Sequence, residues 1–154
     1  MKYLKLTRGK KAIVDDKDFA FLNQWKWTCS AFGYAYRQQK INGKYKFISM
    51  HRLILGLEKG ELADHINHNR VDNRRVNLRI ATDTQNAQNK SKMKNNTSGF
   101  IGVYWNKNRQ YYQAYIQVNK KHIYLGKFID PQVAFKSYRK ASKQYFGEFA
   151  YQTN

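Results

Sequence analysis

The sequence has little cysteine and no long apolar run, and both absences narrow what the protein can be. The single cysteine, Cys29, excludes an internal disulfide and a cysteine-rich structural zinc site. No apolar run approaches the length of a membrane-spanning helix, and the N-terminus lacks the apolar segment of a signal peptide. We therefore expect a soluble cytoplasmic protein.

Acidic residues are also scarce, with 10 Asp and Glu against 29 Lys and Arg, for a net charge of +19. The basic residues flank a nearly neutral centre: residues 1–60 and 91–154 each carry +9, whereas residues 61–90 carry +1. A polyanion held by both flanks would lie over that centre. Charge alone leaves open a basic protein that binds membranes or RNA non-specifically. The 16% aromatic content disfavours simple disorder.

Local patterns in residues 1–49 predict a β-rich segment. Residues 2–15 suggest short strands around a turn at Arg8-Gly9-Lys10, and a second hairpin turns at Asn42-Gly43. Between them, Asp18 is expected to cap a short helix over Phe19–Trp25. No chemical motif stands out in this segment.

The next forty residues predict a compact unit of mixed elements. A short helix is expected over Met50–Leu57, followed by a strand over Glu61–His65 and a polar loop. A second strand over Leu78–Ala81 leads to a helix from Asp83, because Thr82 and Gln85 have capping-box spacing. So small a unit buries little apolar surface, so that metal binding or flanking elements must help to hold it.

Residues 91–98 are polar and basic and predict a linker. Beyond it we expect three antiparallel strands, near 101–105, 111–118 and 121–128, packed on one helix. Asp130-Pro131 starts that helix and Gly147 ends it. Its inward stripe is expected to consist of Ala134, Tyr138, Ala141 and Tyr145. The fold class is therefore α+β.

The central segment also contains residues that are suited to phosphodiester chemistry. The carboxylate of Asp64 and an amide oxygen suit a hard divalent cation, which prefers oxygen ligands. The adjacent imidazole of His65 can take a proton from water near neutral pH. Two further amides follow, Asn77 and Asn86. These are the parts of a metal-assisted phosphodiester hydrolase.

Residues 50–90 resemble an HNH endonuclease of the phage and homing type. The resemblance rests on the following segments: His51-Arg52-Leu53, Asp64-His65-Ile66-Asn67-His68-Asn69, Asp72-Asn73-Arg74, Asn77-Leu78-Arg79 and Asn86. It implies a ββα-metal unit in which Asp64 and Asn86 are the metal ligands and His65 is the general base. Asn77 is then a catalytic-site residue that holds the loop between the strands. With an asparagine at position 86 rather than a histidine, the site favours magnesium or manganese over zinc.

Several residues of this segment have more than one interpretation. Asp64 and His65 are consecutive on a strand and point to opposite faces unless the pleat breaks; they could instead form a buried hydrogen-bonded pair. His51 is either a core histidine or a supporting catalytic residue. His68 stands where many relatives have glycine and is a loop or phosphate contact rather than a ligand. Three arginines are either phosphate contacts or a solvated face: Arg74, Arg75 and Arg79.

Residues 99–149 resemble the plant ethylene-response-factor (Apetala-type) DNA-binding domain. Segments that carry the resemblance include Gly102-Val103, Tyr124-Leu125-Gly126 and Phe128. In that family the exposed sheet face enters the major groove. The face here is expected to present Tyr104, Asn106, Gln113, Tyr115, Gln117, His122 and Tyr124. Amides read adenine edges, and tyrosines mostly contact sugar, phosphate or the thymine methyl. The alternative is a small module that binds protein.

The sequence thus predicts an N-terminal segment (1–49), an HNH unit (50–90), a linker (91–98) and an Apetala-like domain (99–154). The expected function is metal-dependent endonuclease cleavage of double-stranded DNA, in the cytoplasm of a bacterial host if a phage or mobile element encodes the protein. The alternative is a non-catalytic DNA-binding regulator. Residues 1–49 either extend the grip on DNA or complete the core beneath the nuclease unit. Nicking versus double-strand cutting, and monomer versus homodimer, remain open.

Overall fold

A computed structural model describes residues 1–89 and 96–151. The chain divides into two compact units, Met1–Asn86 and Ala87–Thr153, each described here by itself. In the described residues the strands form four small antiparallel sheets, accompanied by a few helices. This confirms the mixed α and β composition. None of the helices in this part of the chain is both long and apolar enough to cross a membrane.

The first unit opens with the expected hairpin of β1 (Lys2–Lys5) and β2 (Lys11–Val14). Helix α1 then spans Asp16–Leu22, so the prediction of a helix over Phe19–Trp25 capped by Asp18 was wrong. Asp15 is the residue in extended geometry before the helix, and Asp16 and Asp18 both lie in its first turn. Carboxylates there interact favourably with the positive end of the helix dipole, which favours the earlier start.

A three-stranded sheet follows, with the order β3 (Thr28–Cys29), β4 (Ala35–Ile41) and β5 (Lys44–Ser49). The turn at Asn42-Gly43 has positive φ at both residues, 49° and 76°, as a tight hairpin of this kind requires. The hairpin prediction is confirmed.

Helix α2 (Met50–Leu55) follows β5 directly and ends at Gly56, which has a left-handed backbone with φ of 66°. The helix is therefore two residues shorter than the sequence predicted. Buried on it are Met50, His51 and Ile54.

The strand–loop–strand–helix order of the central segment is confirmed. Strands β6 (Leu62–His65) and β7 (Leu78–Ala81) pair antiparallel, and α3 spans Asp83–Gln88. A single turn of 3-10 helix, Arg75–Asn77, precedes β7. The capping box forms in both directions, because Thr82 N donates to Gln85 Oε1 at 2.8 Å and Gln85 N donates to Thr82 Oγ1 at 3.2 Å.

One hydrophobic core holds the first unit together. Its buried members come from strands β1–β4 and β7, from helices α1 and α2, and from the segments between them. They include Leu4, Val14, Leu22, Trp27, Met50, Ile54 and Leu78. Fully burying one such aliphatic side chain contributes roughly 1.5–3 kcal/mol. Residues before position 50 therefore supply most of the apolar surface on which α2 and β7 rest.

The second unit contains the expected sheet of three antiparallel strands, in the order β10 (Lys121–Phe128), β9 (Tyr111–Val118) and β8 (Val103–Asn106). Helix α4 (Pro131–Phe146) packs its buried Ala134 and Tyr138 against this sheet. Asp130 caps it by accepting from Gln132 N at 2.6 Å.

The inward stripe of α4 differs from the predicted one. Tyr145 was expected on the inward stripe but is 46% exposed. Ser142 is buried in the preceding turn, and Phe146, four residues further on, packs against the core instead.

Gly102 has φ of 68°, and a Cβ at this position would lie 2.2 Å from the Tyr138 ring and 2.7 Å from the carbonyl oxygen of Tyr115. Only glycine fits there.

Most of the predicted linker, up to residue 95, lies outside the described residues. The remaining part is tied to the second unit: Asn96 Nδ2 donates to the carbonyl oxygen of Phe100, and Ser98 Oγ donates to that of Val103.

Candidate active site

The end of β6 carries the two central residues of the predicted site. Asp64 and His65 are 7% and 5% exposed, and they pair in register with Arg79 and Leu78 of β7. The ladder is regular at both positions, so the side chains leave the strand on opposite faces. The break in the pleat that would bring the carboxylate and the imidazole together is not present between them.

The Asp64 carboxylate is engaged by a guanidinium from the neighbouring strand. Arg79 donates to Asp64 Oδ2 from Nε at 2.9 Å and from Nη2 at 2.6 Å. Both side chains are largely buried, at 8% and 11% exposure, so water screens this ion pair weakly. Arg79 therefore lies beside the proposed metal ligand.

The His65 imidazole is held on the other face by an amide. Its Nε2 lies 3.3 Å from Asn73 Oδ1, and Asn73 is fully buried. An amide oxygen can only accept, so Nε2 must carry the hydrogen of this bond and the neutral ring has its lone pair on Nδ1. Burial lowers the pKa of His65, and the Asn73 bond and the Asp64 charge oppose that shift more weakly. The ring is thus neutral near pH 7, as a general base must be.

Two further rings surround His65. His51, from α2, meets it edge-on with ring centroids 5.2 Å apart, and Tyr34 lies 5.8 Å from it. Burial, followed by the nearby charges of His65 and Arg52, lowers the pKa of His51 to about 4. Within the described residues His51 Nδ1 has no hydrogen-bond partner. His51 is therefore a buried neutral histidine in direct contact with the candidate base.

The loop between β6 and β7 is organised by asparagines and Asp72. Asn77 Nδ2 donates to the carbonyl oxygen of Asp72 at 2.8 Å, and Asn77 Oδ1 accepts from Asn67 N at 3.0 Å. Asn67 Nδ2 in turn donates to Asp72 Oδ2 at 3.1 Å. Asn77 thus bridges the two ends of the loop with both functions of its amide. His68 has φ of 61°, the left-handed backbone that histidine tolerates better than a branched residue.

Strand β2 anchors the same loop. Ile13 N donates to the carbonyl oxygen of Val71, and Asn73 N donates to that of Ile13, each at 2.8 Å. These two bonds hold Asn73 in place, and Asn73 in turn holds His65. The N-terminal segment therefore positions the candidate base through the backbone of β2.

Each of the three arginines predicted to contact phosphate is paired with an aspartate. Arg74 binds Asp72 with Nη2–Oδ2 of 2.6 Å, and Arg75 binds Asp18 with Nε–Oδ2 of 2.9 Å. Arg79 binds Asp64, as described above. In this state the arginines connect parts of the unit to one another, and phosphate contact by them stays a prediction.

The second proposed metal ligand lies on α3. Asn86 is half-buried, and its backbone N donates to the carbonyl oxygen of Thr82 at 2.9 Å. Across residues 1–89 and 96–151, no three His, Cys, Asp or Glu side chains are grouped as a metal site. A site made of Asp64 and Asn86 would use one carboxylate and one amide oxygen, a donor set that suits a hard divalent cation with water as its other ligands.

The second unit exposes a row of tyrosines across its sheet. Ring centroids are 6.1 Å apart for Tyr104 and Tyr115, and 5.2 Å apart for Tyr115 and Tyr124. The strand register places the other predicted DNA contacts on the same face, namely Gln113, Gln117 and His122. The structure thus brings the six residues onto one surface, opposite the face that packs on α4.

Sequence reasoning gave no role to several residues around His65. Asn73 was part of the recognised motif, but nothing in the sequence indicated that its amide would be buried against His65. Tyr34 gave no indication of this kind either, because β4 brings it to the site from a distant part of the chain. Arg70 lies over the Tyr34 ring at 4.7 Å and donates from Nη1 to the carbonyl oxygen of Phe32.

Comparison with known proteins identifies a family that the central segment resembles. The sequence model of the HNH endonuclease family matches residues 50–88. The chain is 29% identical over 149 residues to "Uncharacterized HNH endonuclease L560" of Acanthamoeba polyphaga mimivirus, covering 93% of this chain and 74% of that protein. It is 32% identical over 95 residues to "Protein 3.8" of Escherichia phage T7, covering 61% of this chain and 77% of that protein. No solved structure matches it significantly.

Residues 50–88 are thus similar to an HNH endonuclease domain. The matched segment runs from α2 to the end of α3, so it contains His51, Asp64, His65, Asn77 and Asn86.

Proposed function

We propose that the protein is a metal-dependent HNH endonuclease of the phage and homing type that hydrolyses phosphodiester bonds at a recognised duplex site. The observation that carries this proposal is the environment of His65. A neutral imidazole is fixed by Asn73 at the end of β6, directly after the carboxylate of Asp64 and within the segment that matches the family. A positioned neutral imidazole is a suitable acceptor for the proton of a nucleophilic water.

In the proposed reaction His65 takes a proton from water while the water oxygen attacks the scissile phosphorus. The bond from phosphorus to the 3′ oxygen breaks, which leaves a 5′-phosphate and a 3′-hydroxyl. General-base catalysis of this kind contributes roughly a factor of 10²–10⁴ in rate. Asn77 acts at a distance by keeping the loop ends together, which preserves the Asn73 contact to His65.

Asp64 and Asn86 would hold the divalent cation, magnesium or manganese. When bound, the cation supplies charge stabilisation at the scissile phosphate and at the departing oxygen. Arg79 would have to share or release Asp64 for this, and a released Arg79 would be well placed to contact a phosphate.

For DNA recognition we propose that the tyrosine and glutamine face of the second unit reads the duplex, in the manner that its resemblance to Apetala-type domains implies. Its six residues form one exposed surface on a sheet in a strongly basic region. Phosphate contacts by basic residues would provide most of the affinity, and base contacts the choice of site.

The proposal is tested by nicking of a supercoiled plasmid pool that carries random inserts. Nicked circles should form with magnesium or manganese and should not form with excess chelator. DNA ligase should reseal them, because it requires a 5′-phosphate beside a 3′-hydroxyl. Cleavage that persists in chelator, or nicks that ligase cannot close, would overturn the proposed chemistry.

The second candidate is a DNA-binding regulator that keeps the fold without cleavage. The observation in its favour is the buried ion pair that already compensates the charge of Asp64. In the same assay this candidate predicts DNA binding, without nicking at any metal concentration.

A further inference from the structure

The hairpin of β4 and β5 exposes large aromatic rings that the candidate site does not use. Tyr45 and Phe47 are each 68% exposed, although each side chain carries a broad apolar surface. Phe47 also contacts the ring of Tyr36, with centroids 5.5 Å apart. Two exposed aromatic side chains on one face of a strand leave apolar surface in water unless a partner covers them.

The strand register places these rings on one face. Gln38 pairs with Phe47 and Lys40 pairs with Tyr45, so the aromatic rings alternate with long polar side chains across the two strands. The opposite face contacts the rest of the unit near the base of the hairpin, where Arg37 lies over the Trp25 ring at 4.3 Å. The hairpin is therefore supported on one face and open on the other.

The hairpin and the segments next to it in the sequence carry charge of one sign only. Residues 19–57 contain six Lys and Arg and no Asp or Glu. Three of the lysines lie in the outer part of the hairpin and are exposed: Lys40 pairs with Tyr45 on the ring face, whereas Lys44 and Lys46 alternate with the rings along β5 and lie on the other face. Such a surface repels basic partners and attracts a polyanion.

We propose that this hairpin binds an unpaired DNA strand, with bases stacked on Tyr45 and Phe47 and phosphates held by Lys40 beside the rings, while Lys44 and Lys46 add positive charge from the other face. Exposed rings interleaved with lysines are the combination that single-strand binding surfaces use. In a duplex the base faces are covered by their neighbours, so a flat aromatic surface gains less from it. This binding goes beyond the cleavage of duplex DNA and needs no metal.

The hairpin is also joined to the candidate site at both ends. Tyr34 immediately precedes β4 and His51 follows β5 by one residue, and both rings contact His65. An unpaired strand on the hairpin would thus be held by the same rigid elements that carry the candidate base. The inference favours a substrate with an unpaired or frayed segment beside the duplex.

The test measures binding of the full-length chain to a fluorescent oligo-dT strand and to a blunt duplex of the same length, in chelator so that cleavage cannot interfere. The double variant Y45A/F47A should bind the unpaired strand at least about tenfold more weakly, because each stacked base is worth a large factor, and should bind the duplex within about threefold of the unchanged protein. Both residues are exposed, so the melting temperature should hardly change.

The matched control is the double variant Y104A/Y124A, which removes two exposed rings from the second unit. It should leave the affinity for oligo-dT within about threefold and weaken duplex binding instead. Failure of the unchanged protein to bind oligo-dT would overturn the inference, as would equal losses of strand and duplex binding in Y45A/F47A. Neither result depends on nuclease activity, so the proposed function is judged separately.

Discussion

Acidification should destabilise the first unit below about pH 6.5, because His51 is buried in its neutral form. Its pKa is about 4 in the folded chain against an ordinary 6.5, with burial as the main cause. Between those two values the unfolded chain binds the proton and the folded chain does not. Folding stability is therefore complete above about pH 6.5 and falls as the pH drops towards 4.

The loss of folding stability on acidification can be calculated from the lowered pKa of His51. At a pH near 5, almost every unfolded chain is protonated at this position and few folded chains are, which amounts to a loss of about 2 kcal/mol from His51 alone. Burial lowers the pKa of His65 and His68 as well, so their contributions have the same sign. Asp72 has a lowered pKa because Arg74 binds it, so its stabilising contribution is lost only at more acidic pH.

The assay is urea unfolding at several pH values between 7 and 5, followed by the fluorescence of Trp25 and Trp27 in the first core. The matched variant is His51→Phe, which keeps a ring against Tyr34 and His65 but cannot take a proton. Its stability should fall by about 2 kcal/mol less over this range than that of the unchanged protein. An identical pH dependence of the two proteins would show that His51 is not held neutral by burial.

Three further changes have expected outcomes of different kinds. Asn77→Ala removes two hydrogen bonds of the β6–β7 loop and should cost on the order of 1–3 kcal/mol for each group left unpaired, measured by urea unfolding. Gly102→Ala should destabilise the second unit by more than about 1 kcal/mol, because its Cβ would meet the carbonyl of Tyr115; an unchanged thermal transition would contradict the packing described. Gln113→Ala and Gln117→Ala should relax base preference, costing on the order of 1–3 kcal/mol if either makes a bidentate contact; unchanged selection from a random duplex pool would count against it.

The elements that the sequence predicted well are those specified by neighbouring residues. Asn42-Gly43 fixed one hairpin, Thr82 and Gln85 fixed the start of α3, and Asp130-Pro131 fixed the start of α4. In each case the turn or cap needs only side chains a few positions apart. The start of α1 was predicted three residues late, because Asp15, Asp16 and Asp18 are all acceptable caps and only the folded chain decides among them.

The candidate site likewise has one part that the sequence predicted and another part that depends on tertiary contacts. The adjacent pair Asp64 and His65 and the motif around it can be recognised from the sequence alone. The contacts that hold His65 are tertiary: Asn73 reaches it because β2 anchors the loop, and Tyr34 and His51 arrive from the two ends of a hairpin. The pairing of Arg75 with Asp18 is equally invisible to pattern reasoning, since the two residues lie on elements that meet only after folding.

The central claim is that His65 is the base of a metal-dependent nuclease, and single-turnover cleavage by His65→Ala tests it most directly. Plasmid nicking with saturating manganese should slow by roughly 10²–10⁴-fold, with DNA affinity close to that of the unchanged protein. Because the substitution leaves Asn73 Oδ1 without its imidazole partner, the melting temperature should fall, and cleavage is compared at a temperature at which both proteins are fully folded. The control Ile129→Ala removes a side chain that is 91% exposed and is not among the proposed contacts, and it should cleave at the unchanged rate. Undiminished cleavage by His65→Ala would contradict the account.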